Sequence, residues 1–351
     1  MRALLRTFAA LLGFGALAIA GWYWLADWPV HPGHRVYRLP TGTTMRSFAE
    51  QLKRRHVLDF VDPFVALAEI EGWGQALKSG VYRFPDPTTP LEILRMVVDG
   101  RVVEYPVTLV PGWTFHQVRV TLGHAPHLRN DVHGLSRAAI RKALHLHASL
   151  EGNFFPDTYF YTTDATALSI LARAHAREKR LLRSDWQARA PGLPLRTPEQ
   201  ALILASLIER ETARAGERRK IAGVFVNRLR LGMMLETDPT VIFGLGKRYH
   251  GTLTSADLAF PSPYNTYLHY GLPPTPIGLC SSRALYAALH PAKTKALYFV
   301  ATGQGGHVFS DTLKAQDREI RKYELHQRQA SLHNPRGSRR IRQNHADRQN
   351  R

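Results

Sequence analysis

The chain has 351 residues, enough for about two domains with real cores. A hydrophobic content of 44% and a charged content of 21% exclude a largely disordered chain, and the lone Cys280 excludes an intramolecular disulfide. The formal net charge of +19 indicates attraction to polyanions, for which nucleic acid, anionic lipid and cell-wall polymer are the candidates.

An uncharged run, "FAALLGFGALAIAGWYWL", occupies residues 8–25. As a helix it would reach about 27 Å, close to the thickness of a bilayer core. Arg2 and Arg6 precede it and aromatic residues close it, which predicts a single transmembrane helix in the inner (cytoplasmic) membrane. Residues 1–7 then stay in the cytoplasm and the rest is exported. The alternative is a signal peptide cleaved after the "AIA" of residues 18–20.

After a linker at 26–33, residues 34–102 contain two similar stretches, "VYRLPTGTTMRSFAEQL" and "VYRFPDPTTPLEILRMV". Each reads as a strand, a proline turn, a threonine pair and an amphipathic helix, and a looser third copy begins at Val107. The pattern predicts a small repeated β-turn-α module. Two interpretations stay open: a module that grips glycans, and a spacer that positions a catalytic domain.

The segment 103–328 reads as mixed α and β, with helical patterns dominant and a late hairpin. The hairpin strands are expected at 296–301 and 307–310, and the glycine-rich residues 303–306 supply its turn. The predicted fold class is therefore α+β. The basic tail at 329–351 has few apolar residues and is expected to be solvated and disordered.

A helix with a well-defined start carries two glutamates at its end. Thr197 is expected as its N-cap, Pro198 as its first residue and Gln200 as the partner in a capping box. The stretch "ASLIERETA" then places Glu209 and Glu211 in the last turn.

On a helical wheel the two carboxylates point to opposite sides. Glu211 falls among the large aliphatic residues Leu204, Leu207 and Ile208. A carboxyl held against aliphatic side chains is desolvated, which favours its protonated form and suits a general acid for glycosidic bond cleavage. The alternative is that Arg210 or Arg214 simply pairs with Glu211. Glu209 is expected to be a surface or supporting residue.

Downstream, one helix is expected to end at Gly232 and another to begin with Asp238 as N-cap and Pro239 as its first residue. Asp238 is then either a cap alone or part of a site. The loop "PSPYNTYLHYGLPPTPIG" sets tyrosines and an amide among prolines, which suits sugar binding. The alternative is an ordinary proline-rich connection without a binding role.

Other kinds of site lack their patterns. No Walker loop or nucleophile elbow occurs, and the histidines of "LHLHASLEG" have no third ligand at metal spacing. We therefore expect neither a metal nor a cofactor.

Several motifs in order along nearly the whole chain resemble the YceG-like endolytic murein transglycosylases (MltG): "LEGNFFPDTYFY", "ASLIERET", "VFVNRLRLGMMLETDPTVIFGLG", "YNTY", "GLPPTPI" and "GGHVFS". The resemblance implies an N-terminal transmembrane helix, a LysM-like module at 34–102 and a mixed α+β catalytic domain at 103–328.

The resemblance also implies a function. A single catalytic glutamate, here Glu211, would cleave the β-1,4 bond between N-acetylmuramic acid (MurNAc) and N-acetylglucosamine (GlcNAc) in nascent peptidoglycan strands and so terminate their elongation. The sugar's own 6-hydroxyl replaces water, which leaves a 1,6-anhydroMurNAc end and explains why no second catalytic carboxylate is evident. The peptidoglycan synthases are the expected protein partners.

We hypothesise that eight further residues bind substrate around Glu211: Asp157, Asn227, Asp238, Thr240, Tyr264, Asn265, Thr266 and His307. The chain departs from the family pattern in three places, at Leu279-Cys280, at Ala315-Gln316-Asp317 and at Glu236. These departures bear on the details of substrate binding and leave the position of Glu211 unchanged.

Two other classes of function are alternatives. A non-enzymatic, membrane-tethered peptidoglycan-binding protein would use the basic surface alone, but the retained "ERET" and "YNTY" favour an enzyme. A nucleic-acid binder fits the charge but not the exported topology, so nucleic acid is not an expected partner.

Overall fold

The computed structural model describes residues 26–302 and 305–322, together with Gly13 and Gly21. Apart from those two glycines, the predicted cytoplasmic stub (1–7), transmembrane helix (8–25) and basic tail (329–351) lie outside the described residues. Among the residues described, no helix has both the length and the apolar character needed to span a bilayer.

Helices dominate the described chain. They are α1 Met45–Arg54, α2 Asp62–Ile70, α3 Pro90–Asp99, α4 Phe115–His124, α5 Arg137–Ala143, α6 Ala167–Gln187, α7 Pro198–Glu211, α8 Arg218–Leu231, α9 Asp238–Leu245, α10 Ser255–Leu258 and α11 Ser282–Leu289, with a 3₁₀ turn at Gly246–Arg248. The strands are β1 Tyr37–Leu39, β2 Gly80–Tyr82, β3 Tyr105–Thr108, β4 Thr158–Tyr161, β5 Tyr298–Ala301 and β6 His307–Ser310. They pair in order as β1 with β2, β3 with β4 and β5 with β6, so the predicted α+β class is confirmed.

The chain folds as two compact units. The first comprises the described residues up to Val107 together with Ala125–Arg129 and Phe160–Thr166, and the second comprises the rest. The first unit therefore runs past residue 102, where the sequence placed the end of the repeated module.

The first unit contains the two repeated stretches. β1 and β2 are antiparallel, with Arg38 opposite Val81, and a threonine hydroxyl caps each following helix: Thr44 caps α1 and Thr89 caps α3. In each repeat, one threonine of the predicted pair therefore serves as the helix cap. The LysM-like character of this unit stays a prediction.

The second unit is built around α7. Residues 201–208 of this helix are all buried, and six of them pack in one core with residues of α8 and α11. A helix that is apolar on every side needs partners all round it. The wheel placed Glu211 on a single aliphatic arc, but the helix is enclosed on all sides, so apolar surroundings alone do not distinguish the two glutamates.

The ends of these helices test the predicted caps. Thr197 accepts from the backbone N–H of Gln200 at 3.2 Å, as predicted, but the Gln200 side chain reaches the N–H of Arg196 at 2.6 Å instead of closing a capping box on Thr197. Gly232 ends α8 in the left-handed region, as predicted, with φ 64°.

The predicted cap of α9 is wrong. Its N-cap is Thr237, and Asp238 is the first helical residue. The reason is that the Asp238 carboxylate is bound by a distant tyrosine and is not turned back onto its own helix.

The hairpin of β5 and β6 is confirmed as antiparallel, with Val300 opposite Val308. Gly303 and Gln304 of its predicted turn lie outside the described residues. The segment before β5 packs directly on α8 at Gly223, where an added Cβ would stand 2.6 Å from the Ala292 carbonyl oxygen.

Candidate active site

Glu211 is the last residue of α7 and is partly exposed, whereas the eight residues at 201–208 are buried. Its Oε2 accepts a 2.6 Å hydrogen bond from the hydroxyl of Thr237. Burial raises the pKa of Glu211, while the Thr237 hydrogen bond and the nearby His307 oppose the rise and Asp238 adds to it. A carboxyl in this setting holds its proton more readily than one in water, as a general acid requires.

Glu209 has a different environment. Its side chain is only 6% exposed, and Oε1 forms an ion pair with Arg218 at 3.0 Å. Oε2 accepts from the backbone N–H of Ser281 at 2.9 Å and from the Ser281 hydroxyl. This buried carboxylate joins the ends of three helices. The sequence analysis expected Glu209 to be either a surface residue or a supporting residue. The structure shows a supporting residue, and the surface alternative is wrong.

The suggested pairing of Arg210 with Glu211 does not form. Nη1 of Arg210 donates to the carbonyl of Gly112 at 3.0 Å. Within the described part of the chain, no ion pair involves Glu211.

Two buried threonines hold Thr237 in place. The backbone N–H of Thr237 donates to the hydroxyl of Thr266 at 3.1 Å. The Thr240 hydroxyl donates to the Thr237 carbonyl at 2.7 Å and lies 2.8 Å from that of Thr266. Thr240 is 0% and Thr266 1% exposed. Thr240 and Thr266 therefore hold Thr237, the donor to Glu211, and have a supporting role.

Asp238 lies beside Glu211 and is held by Tyr267, whose hydroxyl donates to Oδ1 at 2.7 Å. Burial raises the pKa of Tyr267, and Asp238 and then Glu211 add to the rise. The phenol therefore keeps its proton and donates it to the Asp238 carboxylate in a hydrogen bond. The sequence analysis did not select Tyr267, although it is the last residue of the "YNTY" motif.

Tyr264 and Asn265 brace the same loop. Asn265 is fully buried, and its Nδ2 donates to the carbonyls of Leu258 and Phe260, each at 2.9 Å. The hydroxyl of Tyr264 lies 2.9 Å from that of Thr275. Asn265 thus shapes the loop from within, and Tyr264 lies partly exposed on it.

His307 lies close enough to Glu211 to lower its pKa. Its Nδ1 lies 2.8 Å from Oε2 of Glu217, and its backbone N–H donates to Oε1 at 3.1 Å. Burial acts to raise the pKa of Glu217, but the hydrogen bonds from His307 and Thr212 outweigh it and lower the pKa. Glu217 therefore orients the imidazole. The sequence analysis missed Glu217 because nothing local indicates its partner 90 residues away.

Asn227 and Asp157 have other contacts. Nδ2 of Asn227 donates to the carbonyls of Thr294 at 2.9 Å and Ala296 at 3.1 Å, which ties α8 to the segment before β5. Asp157 forms an ion pair with Arg177 of α6. No hydrogen bond or ion pair of these two residues reaches Glu211 in the described chain, so their substrate-binding role stays a prediction.

The departures from the family pattern have structural roles. Glu236 forms an ion pair with the buried Arg228 at 2.8 Å, Cys280 is 1% exposed, and the side chain of Gln316 donates to the carbonyl of Phe299 at 3.0 Å. Among the residues that the structure describes, no group of three or more His, Cys, Asp or Glu side chains is arranged to hold a metal ion.

Comparisons with known proteins cover most of the described chain. The model of the YceG-like family matches residues 37–322. An endolytic murein transglycosylase from Bacillus subtilis is 39% identical over 174 residues, which is 50% of this chain and 48% of that protein. One from Streptococcus pneumoniae is 32% identical over 176 residues, covering 49% of this chain and 32% of that protein. The similarity thus spans about half or less of the length of these relatives.

A solved structure extends the comparison to the fold. The crystal structure of a YceG-like protein from Listeria monocytogenes is similar with a TM-score of 0.52 and 28% identity, over 81% of this chain and 98% of the other. Since the family model covers most of the chain and this structure shares its fold, the chain belongs to the YceG-like family.

Proposed function

We propose that this protein is an endolytic lytic transglycosylase that cleaves the β-1,4 MurNAc-GlcNAc bond of nascent peptidoglycan strands. The observation that carries the proposal is Glu211, a carboxyl with a raised pKa that is partly exposed beside Asp238 and His307. The names of the Bacillus and Streptococcus relatives support the class of reaction.

The reaction uses Glu211 twice. As an acid it gives its proton to the O4 of GlcNAc while the bond from that oxygen to C1 of MurNAc breaks. The resulting carboxylate then takes the proton of the 6-hydroxyl of the same MurNAc, and O6 bonds to C1. The products are a GlcNAc 4-hydroxyl and a 1,6-anhydroMurNAc end, and Glu211 is again protonated.

The surroundings of Glu211 suit both steps. Burial favours the protonated acid, and the Thr237 hydroxyl stabilises the carboxylate left after the first transfer. Asp238, fixed by Tyr267, supplies negative charge close to the position where positive charge develops on the sugar. Glu209 cannot replace Glu211 as the acid and base, because Arg218 and Ser281 bind its carboxylate.

The uncharged run at 8–25 supports anchoring in the cytoplasmic membrane with the two units outside. An enzyme held there would meet new strands before mature wall and so terminate their elongation. On this basis we propose the peptidoglycan synthases as its partners.

The first experiment is to incubate the full chain with uncross-linked nascent glycan and to identify the new ends by mass spectrometry. We expect anhydroMurNAc ends. Glu211→Gln should lower the rate by at least about 10²-fold, because a positioned acid contributes about 10²–10⁴.

Glu199→Gln is the matched control, since it makes the same change at an exposed position on the same helix, and it should cleave at the normal rate. Reducing ends would instead indicate a hydrolase in which Asp238 acts as a second carboxylate. No cleavage by the unaltered chain would favour the non-enzymatic peptidoglycan-binding protein.

A further inference from the structure

The first unit has an apolar surface pocket of about 400 Å³. Most of its lining comes from two parts of the chain. One is the segment that follows the uncharged run, at residues 26 and 28–31, and the other is the connection between α1 and α2, at residues 56–60, continuing into α2. We call it the linker pocket. The reaction proposed above uses none of its residues.

Buried and exposed apolar side chains meet in the linker pocket. Leu58, Phe64 and Leu67 are 7%, 3% and 3% exposed, whereas Trp28 is 48% and Phe60 67% exposed. Phe60 keeps most of its ring in water, although burial of a phenylalanine normally stabilises a protein. Exposed apolar side chains that cluster at a pocket, unlike scattered ones, are typical of a surface that binds an apolar partner.

The segment that follows the uncharged run at 8–25 is fixed on the first unit. Val30 exchanges two backbone hydrogen bonds with Thr88, at 2.7 and 3.1 Å. Nδ1 of His31 lies 2.8 Å from Oδ1 of Asp86. The linker pocket and the point at which the chain leaves the uncharged run therefore belong to one body, and the segment between them is not a flexible tether.

This attachment limits how far the linker pocket can lie from a membrane. Ala26, directly after the run, is only 4% exposed and lines the pocket. With the run across the bilayer core, Trp28 follows its end by three residues, which extend at most roughly 10 Å. The headgroup layer on each face of a bilayer is roughly 5–7 Å thick. Trp28 is therefore held at or just outside the headgroups, a depth at which tryptophan is enriched in membrane proteins.

The charges at the linker pocket favour apolar insertion over simple attraction to anions. The described lining contains Asp59, His31 and His56 but neither lysine nor arginine. The net charge of +19 would draw the chain to any anionic surface, and salt would screen that attraction. A contact made through the pocket should instead form on neutral lipid and withstand salt.

We propose that the linker pocket docks the first unit on the outer face of the bilayer, with Trp28 and Phe60 inserted at the level of the headgroups and upper acyl chains. The inference rests on the membrane anchoring in the proposed function. The first unit then lies on the membrane with the linker pocket facing the lipid.

The test uses the full chain reconstituted in neutral phosphatidylcholine vesicles. Cys280 is 1% exposed and should not react with a thiol-specific dye, so Phe60→Cys introduces a single reactive position on an exposed side chain. A dye at residue 60 should lose fluorescence when part of the lipid carries a spin-label quencher near the headgroup. The loss should persist at high salt, because salt does not screen apolar insertion.

Thr41→Cys is the matched control. Thr41 is exposed in the same unit and does not line the linker pocket. It precedes α1, whereas residues 56–60 follow this helix, which is about 15 Å long. A dye at residue 41 should keep its fluorescence in the same vesicles.

Equal quenching at both positions, or no quenching at residue 60, would overturn the proposal. A dye at residue 60 whose emission shifts to shorter wavelength without quenching would show that protein, such as a second copy of the chain, covers the pocket instead of lipid. A chain that fails to float with the vesicles would refute the anchor and this proposal together, whereas a floating chain without quenching would refute the docking alone. Neither result depends on whether anhydro ends form.

Discussion

At the scale of single residues, the partners of a carboxylate decide its role more than its burial does. Glu209 and Glu211 lie two residues apart on a helix that is enclosed on all sides. Arg218 and the Ser281 donors stabilise the charge of Glu209, whereas burial raises the pKa of Glu211 and the Thr237 hydroxyl only moderates the rise. One carboxyl is therefore suited to structure and the other to proton transfer.

Thr237→Val tests this assignment. The hydroxyl of Thr237 favours the ionised form of Glu211, so removing this hydroxyl should raise the pKa of Glu211 further. The acid step needs the protonated carboxyl, so the alkaline limb of the pH–rate profile should move to higher pH. The variant should also lose about 1 kcal/mol of stability.

Thr275→Val serves as its control, since that hydroxyl contacts Tyr264 and does not contact Glu211. Its alkaline limb should stay in place. An alkaline limb that is unmoved, or that moves to lower pH, in Thr237→Val would show that Glu211 is not the titrating acid.

At the scale of elements, α6 buries an ionisable group on its apolar face. Its buried residues Ala167, Ile170, Leu171, Ala174 and Glu178 recur at spacings of three and four. Glu178 is 1% exposed, and neither of its carboxyl oxygens has a hydrogen-bond partner among the described residues. Burial, with a smaller contribution from Asp185, raises its pKa to about 8. The helix therefore packs with this carboxyl protonated at neutral pH.

The consequence is a stability that depends on pH. The folded-state pKa of about 8 exceeds the ordinary value of 4.5, so the native state holds one proton that the unfolded state releases between these limits. The free energy of unfolding that this bound proton contributes is complete below pH 4.5. It is lost as pH rises through 8, by at most about 1.4 kcal/mol per pH unit.

Glu178→Gln should flatten this decline, as measured by denaturant unfolding at a series of pH values, because the amide keeps the shape of the carboxyl without its titration. The exposed Glu199→Gln should leave the slope as it is. An unchanged slope in Glu178→Gln would assign the pH dependence to another group.

At the scale of the whole molecule, the proposed membrane anchor makes a prediction about the intact protein. The uncharged run at 8–25 should keep the full chain in the membrane fraction after an alkaline wash, with its N-terminal sequence unprocessed. Cross-linking in intact cells should then recover peptidoglycan synthases. Release of the protein by the wash, with a new N-terminus at Gly21, would establish the cleaved signal peptide instead. Cross-linking that recovers other proteins but no peptidoglycan synthase would contradict the proposed partners.

The sequence predicted those features that depend on neighbours along the chain. The start of α7 at Pro198, the end of α8 at Gly232 and the hairpin after residue 296 follow from caps, turns and alternation within a few residues. The choice of Glu211 also came from a local helical pattern, and the motif order identified the family.

The tertiary structure decided what each functional group faces. Thr237 donates to Glu211 from 26 residues away, Ser281 holds Glu209 from 72 and Glu217 orients His307 from 90. A helical wheel gives the direction of a side chain about its own axis but cannot say which distant segment lies opposite. Asp238 shows the difference: local spacing predicted a cap, but Tyr267 binds its carboxylate, and that carboxylate helps to raise the pKa of Glu211.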